Sequence, residues 1–275
     1  LVFLFCVTIG FLSALTGSLV GLGGGVILVP SLLILNEFIE SFNWATAQNI
    51  VGISLIVMVF TALSSSISYF KDKRIDYKSG TLFVLASVPG GIVGSWLNQF
   101  IDTDSFSLYF GFLMLAMFVM FFFKTNVPKK RNRTITTKWT INREVIINGE
   151  AKTYSYPWIA AVGLAFLVGN LSGLFGIGGG SLMVPIMILL FGFPAHVAIA
   201  TSMFMILFLS LISSLTHINL GHVPWEYVWL FIPGAWIGGT IGAKVNQRLK
   251  ESTVELILRF ILIIIGIRLI WQGLG

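Results

Sequence analysis

Two glycine-rich segments carry the residues best placed to do chemistry. Gly21-Leu-Gly-Gly-Gly-Val-Ile-Leu-Val-Pro30 and Gly176-Ile-Gly-Gly-Gly-Ser-Leu-Met-Val-Pro185 are identical at six of ten positions. Consecutive glycines favour a break in a helix, since glycine tolerates positive φ and admits close neighbours. A helix that restarts after such a break presents free N–H groups and the positive end of its dipole. Those groups can hold an anion without a buried base. Gly23, Gly24 and Gly25, with Gly178, Gly179 and Gly180, are therefore candidate substrate-binding residues. The competing reading is close helix packing, for which small residues also serve in membranes. Two matched motifs, each closed by a proline, favour the binding role.

Other polar groups begin long apolar runs. Gln48, Asn49 and Ser54 in the first half, and Thr201 and Ser202 in the second, could donate hydrogen bonds to an anion or simply cap and join helices. Thr16 and Ser18 precede the first glycine run, as Asn170 and Ser172 precede the second. Ser64–Ser66 and Ser213-Ser214 read as close-packing residues. His196, His217 and His222 are the only histidines and lack the i, i+4 spacing of a helical metal site. They could carry protons, but ordinary interfacial positions near helix ends are the better account. Arg259 is an ionisable residue inside the last apolar run, where snorkelling towards Glu255 is the simpler account. Cys6 stands alone, so an intrachain disulfide is excluded. The span centres hold no cluster of His, Asp or Cys, which argues against a membrane-embedded enzyme. Nothing calls for a cofactor.

The elements that must position these groups are set by composition. Of 275 residues, 56% are hydrophobic and 10% charged, and the mean hydropathy is +0.92. Soluble domains carry about a quarter charged residues, so the solvent here is a bilayer. The chain reads as an all-α polytopic membrane protein with about 8 to 10 membrane segments, glycine-broken helical hairpins included. Leu1–Leu15 has no basic start or small-residue cleavage site and reads as a span. Residues 1–123 form a first transmembrane repeat and 157–275 a second. The 124–156 linker between them holds eight bases against two acids, the net charge of the whole chain. Such a loop marks the cytoplasmic side rather than a nucleic-acid partner. Within it, Asn148-Gly149 flanked by β-branched residues suggests a short hairpin.

The repeat extends beyond the glycines. Gly52-Ile-Ser54 resembles Ala200-Thr-Ser202, Ser65-Ser66 matches Ser213-Ser214, and Pro89-Gly90 matches Pro233-Gly234. The bases then set orientation. Lys71, Lys73, Arg74 and Lys78 lie in one loop of the first half, whereas in the second half Lys244, Arg248 and Lys250 lie one loop later. The swap favours inverted repeats, although Arg268 near the outer end of the last run favours parallel ones. Inversion makes 1–35 and 157–192 hairpins with tips at the glycines, and leaves their unequal arms, about 20 and 11 residues, to be explained.

The paired Gly-x-Gly-Gly-Gly-x-x-x-x-Pro segments, Ala200-Thr-Ser-Met and Pro233-Gly-Ala-Trp-Ile-Gly-Gly resemble the sulfite exporter TauE/SafE family. The likeness covers both halves and leaves out the 124–156 linker. The first half departs from the pattern at Gly52-Ile53, where its twin has Ala200-Thr201. The resemblance implies a permease of the bacterial-type inner membrane. It would move sulfite, sulfonates or related sulfur-containing anions, outwards, by alternating access; an anion channel of low selectivity is the alternative. The partners expected are a small anion and the lipid bilayer, with a second copy of the chain left open.

Overall fold

The computed structural model describes residues 2–71, 74–122, 139–147 and 150–249, with single positions between 253 and 267. The Asn148-Gly149 turn, Arg259 and Arg268 lie outside the described residues. The order is α1 (Val2–Val20), α2 (Gly25–Phe38), a single 3-10 turn (Glu40–Phe42), α3 (Ala47–Lys71), α4 (Tyr77–Asn98) and α5 (Thr103–Phe122). A hairpin β1 (Thr140–Ile147) and β2 (Glu150–Pro157) follows. Then come α6 (Trp158–Phe175), α7 (Gly180–Leu189), α8 (Ala195–Asn219) and α9 (Trp225–Asn246). Among the described residues, α1, α3, α4, α6, α8 and α9 are long and apolar enough to cross a bilayer, and α2 and α7 are shorter apolar helices. The chain is an integral membrane protein.

The halves interlock. Helix α1 lies along α9, and α4 along α6, so each half lends its first helix to the other. Helices α3 and α8 meet at the centre and run antiparallel. Gly52 near the start of α3 abuts the His222 carbonyl just beyond α8, and the Asp76 amide just beyond α3 donates to Thr201 near the start of α8 at 3.0 Å. Most of the α3 and α8 side chains are buried.

Element lengths set the register of the repeat. Helices α3 and α8 have 25 residues each and α4 and α9 have 22, and each pair starts 148 positions apart. The glycine runs are 155 apart. The difference of seven is accounted for by α2, four residues longer than α7, and by a connection to the next helix three residues longer. Contacts agree with this register. Asn98 Nδ2 donates to the Leu174 carbonyl at 2.8 Å, and Asn246 Nδ2, 148 positions on, donates to Leu19, 155 positions back from Leu174, at 2.6 Å. The match of Pro89-Gly90 to Pro233-Gly234 is thus one helical turn out. Gly94 and Gly242, not Gly94 and Gly238, are the equivalents that press on Asn170 and Leu15.

The unequal hairpin arms also have a geometric cause. The chain leaves α1 at Val20 and doubles back before restarting, so that Gly24 lies beside the Ser13 carbonyl. Ser13 is seven residues before the end of α1, about 10 Å at 1.5 Å per residue. The returning arm α2 therefore starts part-way up its partner and needs fewer residues. The second half repeats this: Gly179 lies beside Val168, seven residues before the end of α6.

Strands β1 and β2 pair antiparallel from Thr140↔Pro157 to Ile147↔Glu150. The hairpin is seated on the helices and does not lie free on the surface. The Tyr154 ring meets Phe193 at 4.0 Å and Tyr156 meets Phe191 at 5.1 Å. Tyr154 donates to Asp76 at 2.7 Å and Tyr156 to Ser79 at 2.6 Å. Asp76 itself caps α4 by accepting from the Ser79 amide, a favourable place for a carboxylate. Burial, reinforced by the Asp76 carboxylate, raises the Tyr154 phenol well above its ordinary range.

Candidate functional site

The two breaks touch at the centre of the bundle. Gly24 and Gly179 are the N-cap residues of α2 and α7, with φ of 100° and 67°. That left-handed backbone suits glycine, and it turns each chain sharply enough to restart a helix. Gly25 and Gly180 face the opposite break. A Cβ on Gly25 would overlap the Gly176 carbonyl oxygen, and one on Gly180 would overlap that of Gly21. The seam is backbone against backbone. Met58 of α3 and Ile206 of α8, equivalent by the 148-residue register, close over both Gly23 and Gly178.

The same carbonyls are bridged by hydroxyls. Ser54 Oγ donates to Gly176 at 2.7 Å, and Ser202 Oγ donates to Gly21 at 2.8 Å. Each serine thus ties a central helix of one half to the break of the other. Gln48 and Asn49 sit at the start of α3, away from the breaks. Gln48 Nε2 donates to Asn98 and Ile101, and Asn49 Nδ2 donates to Trp44. Thr201 accepts from the Asp76 amide. Of the polar candidates read from the sequence, only Ser54 and Ser202 meet the glycines.

The breaks retain polar capacity. At the start of α2 and α7 the N–H groups of Gly25, Val26, Ser181 and Leu182 have no intrahelical acceptor, while those of Ile27 and Gly180 bond the Gly24 and Gly178 carbonyls at 3.0 and 2.7 Å. Pro30 and Pro185 lack an N–H, so the carbonyls one turn back, at Val26 and Ser181, lose their usual donors. The Ser181 hydroxyl is buried and without a partner, as is that of Ser172 one turn before the second break. An unpaired buried hydroxyl costs about 1–3 kcal/mol, and in a folded protein it calls for an explanation, a bound ion among them. Ser181 was not among the sequence candidates. Its position directly after the third glycine, where the first half has Val26, was the available clue. A shallow surface depression lies beside the first break, lined by Thr16, Gly17, Leu22, Gly24, Val26 and Ile27. Among the described residues no group of three or more His, Cys, Asp or Glu could hold a metal ion.

A sequence model of the family described as sulfite exporter TauE/SafE matches residues 6–269, both breaks included. The chain belongs to the TauE/SafE family. It is 43% identical over 272 residues to the probable membrane transporter protein YunE of Bacillus subtilis, covering 99% of this chain and 98% of that one. A probable membrane transporter protein of Xylella fastidiosa is 28% identical, covering 97% and 95%. One from Methanocaldococcus jannaschii is 26% identical, covering 95% and 92%. No solved structure matches. This TauE/SafE chain is a probable membrane transporter and not an enzyme.

Proposed function

We propose that this protein carries a small sulfur-containing oxyanion, such as sulfite, thiosulfate or a sulfonate, across the membrane by alternating access. The observation that carries the proposal is the meeting of the two breaks. Free N–H groups, the positive ends of α2 and α7 and the partnerless Ser181 hydroxyl converge on one seam. Separation of the halves at the Gly25–Gly176 and Gly180–Gly21 contacts would admit an anion, and renewed contact would close the path behind it. Outward transport is the direction that the family's description suggests. The close packing of Met58 and Ile206 over the seam favours a carrier over an open channel.

The antiparallel course of α3 and α8, and the exchange of α1 and α6 between halves, support inverted repeats related by an axis in the membrane plane. The basic linker and the hairpin that continues it then face the cytoplasm of a bacterial-type inner membrane. Saturable flux of sulfite or thiosulfate into proteoliposomes is the expected result, abolished by Gly24→Val or Gly179→Val without loss of insertion. Absence of flux for every sulfur oxyanion would overturn the substrate class. Flux that rises linearly with concentration would overturn the carrier.

A further inference from the structure

His217 and His222 form a pair that sequence spacing conceals. Their Nδ1 atoms lie 3.1 Å apart across the C-terminus of α8, and His217 Nε2 lies 3.2 Å from the Gly173 carbonyl. A carbonyl only accepts, so His217 carries its proton on Nε2. Its Nδ1 is then the acceptor, and His222 must donate from its own Nδ1. The order is fixed: His222 Nδ1–H to His217 Nδ1, then His217 Nε2–H to Gly173. This leaves His222 Nε2 as the nitrogen open to a proton. His217 is fully buried and His222 is half-buried in the turn after the helix, so the open nitrogen lies on the solvent side.

The first half shows what is special about this pair. By the 148-residue register, Tyr69 is the equivalent of His217 and Arg74 that of His222. By the 155-residue register, Ser18 is the equivalent of Gly173. Tyr69 donates its hydroxyl to the Ser18 carbonyl at 2.9 Å, the same bond made by a phenol. Both halves therefore need a donor to this carbonyl near the break, but only one uses an imidazole, whose second nitrogen can accept a proton. The loss of the Ser18 side chain at Gly173 has a second effect. Ser65 bonds Ser18 Oγ at 2.7 Å, whereas its equivalent Ser213 is buried and partnerless, as is Ser95 beside Gly173. Unsatisfied hydroxyls from α8 (Ser213) and α4 (Ser95) are thus left near Gly173, where the first half has its serine network.

We infer that His217 and His222 form a proton-binding site through which proton binding and anion transport are coupled; this rests on the anion-carrier reading above. A proton from solvent adds to His222 Nε2, and the pair becomes a cation sharing its inner proton. No carboxylate, lysine or arginine among the described residues bonds either ring. The carboxylates at this end of the bundle, Glu37, Glu40, Asp102, Asp104 and Glu226, are solvent-exposed. The neutral Gly173 carbonyl of α6 meets the His217 ring, and Gly52 of α3 abuts the His222 backbone carbonyl. Burial holds His222 below the ordinary imidazole range, so the pair is neutral without an anion. An anion in the seam favours the cation, and by linkage the cation favours the anion to the same degree. Anion and proton then cross together, and the direction of net flow follows the sum of the two gradients. The His222 backbone also abuts Gly52 of the other half, so the pair sits where the two halves meet.

The test uses the full chain in proteoliposomes with thiosulfate, the anion of a strong acid that carries no proton of its own. External anion influx and internal pH are read together. The wild type should acidify the lumen in step with influx, and influx should rise up to about tenfold per pH unit on the acid side. His217→Tyr with His222→Arg transplants the first half's pair and keeps the donor to Gly173. This variant should remain folded and pass thiosulfate with no accompanying proton and a flat pH profile. His222→Gln alone should also lose proton movement. Anion flux in the wild type without lumen acidification would overturn the coupling while leaving the carrier intact, as would unchanged proton movement in the transplanted variant. Absence of any anion flux in the wild type would overturn both.

Discussion

Gly180 of one half rests directly on the Gly21 carbonyl of the other, with no room for even a methyl group between them. The mirrored contact of Gly25 on Gly176 makes the seam reciprocal. Gly180→Ala or Gly25→Ala should force the halves apart, at a cost of about 1–3 kcal/mol from overpacking. The expected outcome is a lower melting temperature in detergent and at least a tenfold loss of flux. Normal flux in both variants would mean that the seam does not need to close.

Ser54 and Ser202 make equivalent bonds, so their loss should be equivalent. Each Ser→Ala substitution should cost about 1 kcal/mol of stability, towards the lower end if membrane context weakens it. The double variant should approach the sum, since the two carbonyls are separate. Thermal melting of the three variants checks this. A large loss from one and none from the other would break the equivalence of the halves.

Ser181 has no partner to lose. Ser181→Ala should therefore leave the melting temperature unchanged or slightly raised, while the affinity for a sulfur oxyanion falls about tenfold, as for one hydrogen bond to a charged group. Competition flux assays measure that affinity. Unchanged affinity would remove Ser181 from the site.

Asn246 ties α9 to the Leu19 carbonyl, and Asn98 ties α4 to Leu174. Replacement by leucine leaves each carbonyl buried and unpaired, a loss of about 1–3 kcal/mol. Asn246→Leu should cost more, because Asn246 Oδ1 also meets His196 Nδ1 at 3.2 Å. Melting curves compare the two.

The Tyr154 phenol is raised above its ordinary pKa, so its contribution to docking follows a definite sign. A group whose folded pKa is raised stabilises fully below its unfolded pKa, about 10 for tyrosine, and the contribution is lost as pH rises beyond it. Docking of residues 140–157 should weaken above about pH 10. Tyr154→Phe should dock less firmly at neutral pH and depend less on alkali. Amide exchange of the two strands reports both.

Much of this arrangement was legible in the sequence, and the limits have physical causes. The glycine runs announced the breaks, because a run of glycines at a fixed place has few other uses in an apolar helix. The register of α4 and α9 was misread by one turn. Both helices carry small residues every fourth position, Gly90 and Gly94 in one and Gly234, Gly238 and Gly242 in the other, and local identity slides easily along such a ladder. Ser54 and Ser202 stood out as polar groups near helix starts. Their partners could not be foreseen, since each lies in the opposite half. His217 and His222 are five residues apart across a helix end, a spacing that suggests no shared face until the chain turns back at Gly221.

The seam made by Gly21, Gly25, Gly176 and Gly180 is main chain on both sides, and a main chain is chemically anonymous. Two members of such a lineage could keep it unaltered and still differ in cargo. On the anion-carrier reading, discrimination would be written in the side chains that adjoin it, Met58, Ile206, Ser181 and Val26. Those four positions, rather than the glycines that advertise the family, are where a change of diet should leave its record.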